Sequence, residues 1–290
     1  MTDFKLKNAL VILSCFAALL LLFNANFLAA QSIDFTGALS RMENAVASSQ
    51  EELTMQDSYY LGRAAAAHII NSFPLYNQNP ALTVYLNLVC YALAVNSPIP
   101  NWYDGYYVMI LDTPVVNAFA TPGGHIFITR GILEILTSED MIAAVIAHEM
   151  AHIQLQHGIA AVNHSRAVND LYQERNRISH NLASETQRQF TASVNDLART
   201  LLSGGYSQLQ EFEADSTALT LLVSAGYNPR SLIELMRVLD SLSGNQLAGL
   251  NSTHPLPSQR IANLQRQMPV SRFANNTARM ERFERARNEQ

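Results

Sequence analysis

Apolar residues recur at spacings of three and four along most of this chain, so the elements it predicts are mainly helices. From Ile33 to about Phe73 they fall first at Leu39, Met42 and Val46, then at Tyr60, Ala64, Ala67 and Ile70. Pro74 and Pro80 punctuate the next connection, and Pro80 suits the first turn of a helix running to about Val95. After the break at Ser97-Pro98-Ile99-Pro100-Asn101 the texture changes. Tyr106 to Leu111, Val115 to Phe119 and His125 to Thr129 are rich in β-branched and aromatic residues and predict three short strands of a small sheet. Between the last two lies Thr121-Pro122-Gly123-Gly124, a turn whose glycines can take positive φ or let another backbone approach closely.

Helical spacing then resumes. Thr137, with Glu139 and Asp140 after it, offers an N-terminal cap for a strongly apolar helix from about Glu139 to His157, with Gly158 near its end. Ala161 to Leu202 mixes apolar and charged residues and predicts one or two amphipathic helices, or a flap; it is too charged to span a membrane. Gly204-Gly205 breaks that run, and Ser207 to Ala225 is a further helix closed by Gly226. Pro229 opens the next helix, to about Leu242, and Pro257 opens another through Arg260, Ile261 and Leu264. The tail from Ala274 is arginine-rich and at most amphipathic. The fold class is therefore α+β, mainly helical with a small sheet.

Composition adds two constraints. With 290 residues, 48% hydrophobic and 15% charged, the chain is ordinary globular material, and its net charge of -5 gives no basic field for nucleic acid. The N-terminus reads separately. Lys5 and Lys7 precede an unbroken apolar run from Ala9 to Phe23 and then small residues up to Ala30, the layout of a secretory signal peptide over residues 1–30. The run is shorter than the roughly 20 residues that cross a bilayer. The alternative is an uncleaved anchor, which would associate the protein with a membrane. Cys15 lies within this apolar region, so the mature chain retains Cys90 alone and forms no internal disulfide; Cys90 sits in an apolar helical run and reads as core. Residues 31–290 are then a single domain.

The chemistry centres on His148-Glu149-Met150-Ala151-His152. Helix positions four apart differ by about 40° in direction, so His148 and His152 can aim imidazole nitrogens at one ion, while Glu149 can take a proton from a water there. Zinc needs about one more protein ligand and keeps a position for water. Glu211-Phe212-Glu213-Ala214-Asp215 supplies it. Glu211 and Asp215 share a helix face, where one can ligate and the other can hold a ligand histidine's second nitrogen; Glu213 lies about 200° from Glu211.

Taken with Tyr206-Ser207, His254-Pro255 followed by Arg260-Ile261, and Asn117-Ala118-Phe119 with Gly123-Gly124, these motifs resemble peptidase family M48 of zinc metallopeptidases over roughly Tyr106 to Gln267. The chain departs from many members in carrying Gln208, where they have arginine after the Tyr–Ser pair. The resemblance implies a zincin-like domain with one zinc per chain on His148, His152 and Glu211, Glu149 as base, and Asp215 behind a ligand. It implies that Asn117, Ala118 and Phe119 form an edge strand that holds an extended peptide; without the zinc motifs they would read as packed core. It places His254 near the zinc, either as a catalytic donor to the oxyanion or as a fourth ligand that would leave the site latent. The metzincin pattern fails, because Leu155 and Gly158 stand where glycine and histidine are required. His157, about 140° around a continuous helix from His152, reads as structural or surface. The implied function is an endopeptidase of misfolded or stalled envelope proteins in the periplasm, with two alternatives: an inner-membrane-anchored protease, or a chaperone-like protein whose site His254 closes.

Overall fold

The computed structural model describes residues 53–163, 182–242, 254, 257–269, 273 and 276–288. The expected signal peptide, the helical positions Leu39, Met42 and Val46, and residues 164–181 of the polar stretch lie outside the described residues. Helices α1 (Met55–Ser72) and α2 (Pro80–Val95) come first, α2 capped by Asn79, whose side chain accepts from Leu82 N at 2.9 Å, with Pro80 in its first turn. Strands β1 (Tyr107–Leu111), β2 (Ala118–Thr121) and β3 (His125–Thr129) form one sheet in the order β1-β3-β2, with β1 parallel and β2 antiparallel to β3.

Strand β2 is therefore an edge. It starts three residues and ends two residues later than its sequence pattern suggests, because pairing runs from Ala118 opposite Ile128 to Thr121 opposite His125, leaving only Pro122-Gly123-Gly124 for the turn. Both glycines have positive φ, and a Cβ on Gly124 would stand 1.9 Å from the Gly105 carbonyl oxygen, so the turn uses both properties of glycine. Alternate residues face opposite sides of the sheet. Ala118, Ala120, Ile126 and Ile128 enter a core shared with α2 and the central helix, while Phe119 and Phe127, paired in register with ring centroids 5.3 Å apart, enter a second core against α1.

A short helix α3 (Arg130–Ile135) leads to α4 (Glu139–Gln154). The cap of α4 is Ser138, not Thr137: Ser138 Oγ accepts from Met141 N at 3.2 Å, whereas Thr137 Oγ1 turns to Met141 Sδ. Nearly every residue of α4 is buried, which is why its apolar residues surround the axis rather than forming a stripe. The helix stops short of His157. The chain breaks at Leu155 and Gln156, the latter with φ 56°, and a second helical stretch follows over 157–163. Gly158 is not a cap but a close approach, since a Cβ there would meet the Pro122 ring at 3.0 Å.

Helix α5 (Leu182–Arg199) packs Val194 and Leu197 into the second core and ends in a π-helical turn, Thr200–Gly204. Then come α6 (Gln208–Ser224), α7 (Arg230–Ser241), α8 (Pro257–Gln267) and α9 (Thr277–Asn288). Ser207 and Gln210 form a capping box at the start of α6, and Gly226, at φ 73°, follows its end. Cys90 is buried, and burial pushes its thiol up to about 12. Among the described residues no helix is long and apolar enough to cross a membrane.

Candidate metal centre

Helix α4 carries His148, Glu149 and His152 in its last two turns, and α6 packs against it with Glu211 and Asp215 on the facing side; all five are buried. His254, between α7 and α8, completes the group. One ligand atom from each of His148, His152, Glu211 and His254 can be chosen so that all four lie within 4.8 Å of one another.

The spacings fit a metal ion. Two ligands about 2.05 Å from a tetrahedral zinc stand about 3.3 Å apart. His148 Nε2 and His152 Nε2 are 3.0 Å apart, His148 Nε2 and Glu211 Oε2 3.4 Å, and His152 Nε2 and Glu211 Oε1 3.5 Å. Glu211 Oε2, completely buried, has no well-aligned hydrogen bond. Its neighbours, Arg260 Nη1 at 3.2 Å and His148 Nε2 at 3.4 Å, pair with it in charge without being aligned as hydrogen-bond donors, and a metal ion among these atoms would take the lone pairs that face inward.

The surrounding groups set the charge. Asp215 Oδ1 stands 3.2 Å from His148 Nδ1, and Arg260 from α8 clamps Asp215 through Nε at 2.9 Å and Nη2 at 2.6 Å. The Arg260 Nη1 also lies 3.2 Å from Glu211 Oε2. Burial alone would raise both carboxyls, but Arg260 holds Asp215 low, and His254 together with Arg260 holds Glu211 well below the ordinary range. Burial and Arg260 push His148 down, yet its contacts with Asp215 and Glu211 reverse this and leave it pushed up to about 9. Burial carries His152 well below the usual histidine range. Glu149 makes no hydrogen bond or ion pair with any described residue, and burial raises its carboxyl.

His254 Nδ1 is 2.8 Å from Glu211 Oε1. The structure thus brings together His148, His152, Glu211, Asp215 and His254, with Glu149 in the same turn. Asn117, Ala118 and Phe119 stand at and just before the edge strand, but the narrow cavity of about 10 Å³ against His152 is lined by Ala120, Thr121 and Pro122, with Trp102 and Tyr206. The main chain of Asn117 already bonds Thr129 in both directions, at 3.1 Å from each nitrogen.

Three further residues gain a place in this neighbourhood from the structure. In the sequence Arg260 is only part of a motif, although a buried arginine at the start of the helix that Pro257 opens must find carboxylates. It makes a charged contact with the helix of Glu211, while Gln208, the departure from the family pattern, instead meets Gln259 at the surface. Tyr206 stacks on His152 with centroids 4.3 Å apart. His157, expected to be structural or at the surface, is buried with its Nδ1 2.9 Å from His152 Nδ1, and its Nε2 lies 3.4 Å from Glu213. The break at Gln156 swings it back from the position a continuous helix would give.

A family model described as peptidase family M48 matches residues 80–268. The chain is similar to the mitochondrial metalloendopeptidase OMA1 of Schizosaccharomyces pombe, 29% identical over 58% of this chain and 48% of that one. It is also similar to the Escherichia coli beta-barrel assembly-enhancing protease, 25% identical over 73% of this chain and 42% of that one, and to the Escherichia coli metalloprotease YcaL, 27% identical over 52% and 58%. The matched parts span about half the length of these relatives.

Proposed function

Because the chain belongs to peptidase family M48, we propose that it is a zinc-dependent endopeptidase that hydrolyses peptide bonds in misfolded or stalled envelope proteins. The observation that carries this reading is the convergence of two imidazole nitrogens and the buried carboxylate of Glu211, with Glu149 beside them. One zinc ion on His148, His152 and Glu211 would supply Lewis acidity to a water and to the scissile carbonyl. Glu149 takes the proton of that water and returns it to the leaving amine; burial raises its carboxyl, the direction a proton shuttle needs. Asp215, itself clamped by Arg260, fixes the orientation of His148. An extended substrate would align by main-chain hydrogen bonds along the sheet edge that Ala118 and Phe119 enter, with Asn117, whose own main-chain groups bond Thr129, anchoring the start of that strand, so recognition reads backbone more than sequence.

His254 donates to the developing oxyanion in this reading. A second reading makes it a fourth ligand of a latent, chaperone-like protein, and its inclusion in the four-residue group supports that version. The amino-terminal signal-like segment points to export to the periplasm, or to a membrane-anchored form facing it, and the relative named as a beta-barrel assembly-enhancing protease supports an envelope substrate.

Casein cleavage by the purified protein tests the reading. Activity should vanish with a chelator, return with zinc, and fall by about 100-fold or more in Glu149→Gln with zinc content unchanged. Full activity in that variant defeats the mechanism. In the same assay His254→Ala lowers cleavage if His254 stabilises the oxyanion and raises it from a negligible level if His254 closes the site.

A further inference from the structure

Each histidine of the helix motif has one nitrogen in the cluster and one facing away, and the two outward nitrogens meet different partners. His148 Nδ1 meets a carboxylate directly, Asp215 at 3.2 Å. His152 Nδ1 meets another imidazole, His157 Nδ1 at 2.9 Å, and His157 Nε2 in turn faces Glu213 Oε2 at 3.4 Å. The protons on this second path can be placed by elimination. If His152 offers a lone pair at Nε2 to a metal, its proton is on Nδ1 and is donated outward. His157 Nδ1 must then be the acceptor, which puts the proton of a neutral His157 on Nε2, where it faces a carboxylate. No tautomer along the path is left free, and no donor meets a donor.

We infer that His157 and Glu213 form a two-step relay that fixes the tautomer and ring orientation of His152, making His157 a positioning residue for metal binding. The inference rests on the zinc site proposed above. It also accounts for a buried histidine outside the ligand set whose neighbours are arranged for one proton pattern. Glu211 and Glu213, on opposite sides of α6, then have complementary tasks. Glu211 reaches the ion, and Glu213, with half its side chain exposed, reaches around to the outer end of the relay. The stacked ring of Tyr206 covers the face of His152 and leaves its in-plane nitrogens for these two contacts.

The test is zinc affinity of the full chain, measured by competition with a chromophoric chelator, together with the visible spectrum of the cobalt-substituted protein and the melting temperature of the metal-free protein. His157→Ala removes both links and should weaken zinc by about 10–100-fold and perturb the cobalt bands. His157→Asn keeps an acceptor where Nδ1 stood but loses the outer link, and Glu213→Ala loses the outer link alone; each should weaken zinc by less than about tenfold. The double variant His157→Asn/Glu213→Ala should be no worse than either single change, because the outer link is already gone in both. Additive losses, or a His157→Ala variant that binds zinc within about twofold of wild type at unchanged metal-free stability, overturn the relay. If the wild type takes up no zinc, the metal reading itself fails, and the relay with it.

Discussion

Helix α4 has a buried acidic cluster at each end, and the two are balanced in opposite ways. At the start, Glu139 is 1% exposed and both oxygens are saturated: Tyr85 Oη and Arg282 Nε donate to Oε2 at 3.0 Å each, and Arg282 Nη2 and Tyr227 Oη donate to Oε1 at 2.6 and 3.3 Å. At the far end, Glu211 is also buried, but Oε2 lacks an aligned donor while imidazole nitrogens converge on the same space. Burial is alike in the two places. What differs is the count of donors against acceptors. A carboxylate with four donors has no capacity left and serves to join helices; a surplus of inward-facing acceptors calls for a cation.

The largest effect should come from removing the surplus. Glu211→Gln is expected to weaken zinc binding by about 100-fold or more, beyond the range for residues that only support ligands. The metal-free protein should lose stability only modestly, because Arg260 keeps Asp215 as its partner when the Glu211 charge that faces Arg260 and His254 is gone. Equilibrium competition for zinc and thermal melting without metal read the two quantities separately. A large fall in metal-free stability with zinc affinity unchanged would mean that this end of the helix is structural as well, and the comparison would collapse.

The metal end of α4 is more legible in the sequence than the structural end. His148, His152, Glu211 and Asp215 are visible from the sequence because each pair obeys a four-residue helical spacing within one element. His157 is buried, as the structural half of its reading has it, but its place beside His152 is hidden because one backbone break, at Gln156, invalidates the angular argument beyond it. The Glu139 cluster could not be read at all. Glu139 looks like an ordinary acid in a first turn, and its partner Arg282 lies 143 positions away in a tail that showed only scattered arginines. Helix α9 buries Phe283 and Ala286, so that tail is a packed element joined to the start of the motif helix. The sheet shows the same division: three strands were evident from composition, whereas the placement of β3 between β1 and β2 is decided by contacts.

Next in size is Glu139→Gln. The amide keeps the volume but presents donors to Arg282, and it leaves part of a buried network unmatched. Arg282 is half exposed, so the loss is discounted from that of a fully buried pair to about 2 kcal/mol, or about 4–8 °C in melting temperature for a domain of this size. Zinc affinity should be unchanged, because the network is satisfied without reference to the metal. A variant that loses zinc without losing stability would show that the two ends of α4 are coupled in a way the donor balance does not capture.

The smallest effect distinguishes a saturated network from one that depends on a single cation. Arg279 Nη1 donates to Asp140 at 3.0 Å, its Nη2 donates to the Gly226 carbonyl at 2.9 Å, and its guanidinium lies 4.1 Å over the Tyr227 ring. Its loss in Arg279→Ala leaves no carboxylate stranded, since Asp140 still accepts from Asn228 N at 2.9 Å and Glu139 keeps Arg282. The cost should therefore be about 1 kcal/mol, or about 2–4 °C in melting temperature, well below that of removing the carboxylate itself. Equal losses for Arg279→Ala and Glu139→Gln would show that the arginine, rather than the fully bonded acid, organises this end of the helix. The rule drawn from the comparison would then need to count cations before acceptors.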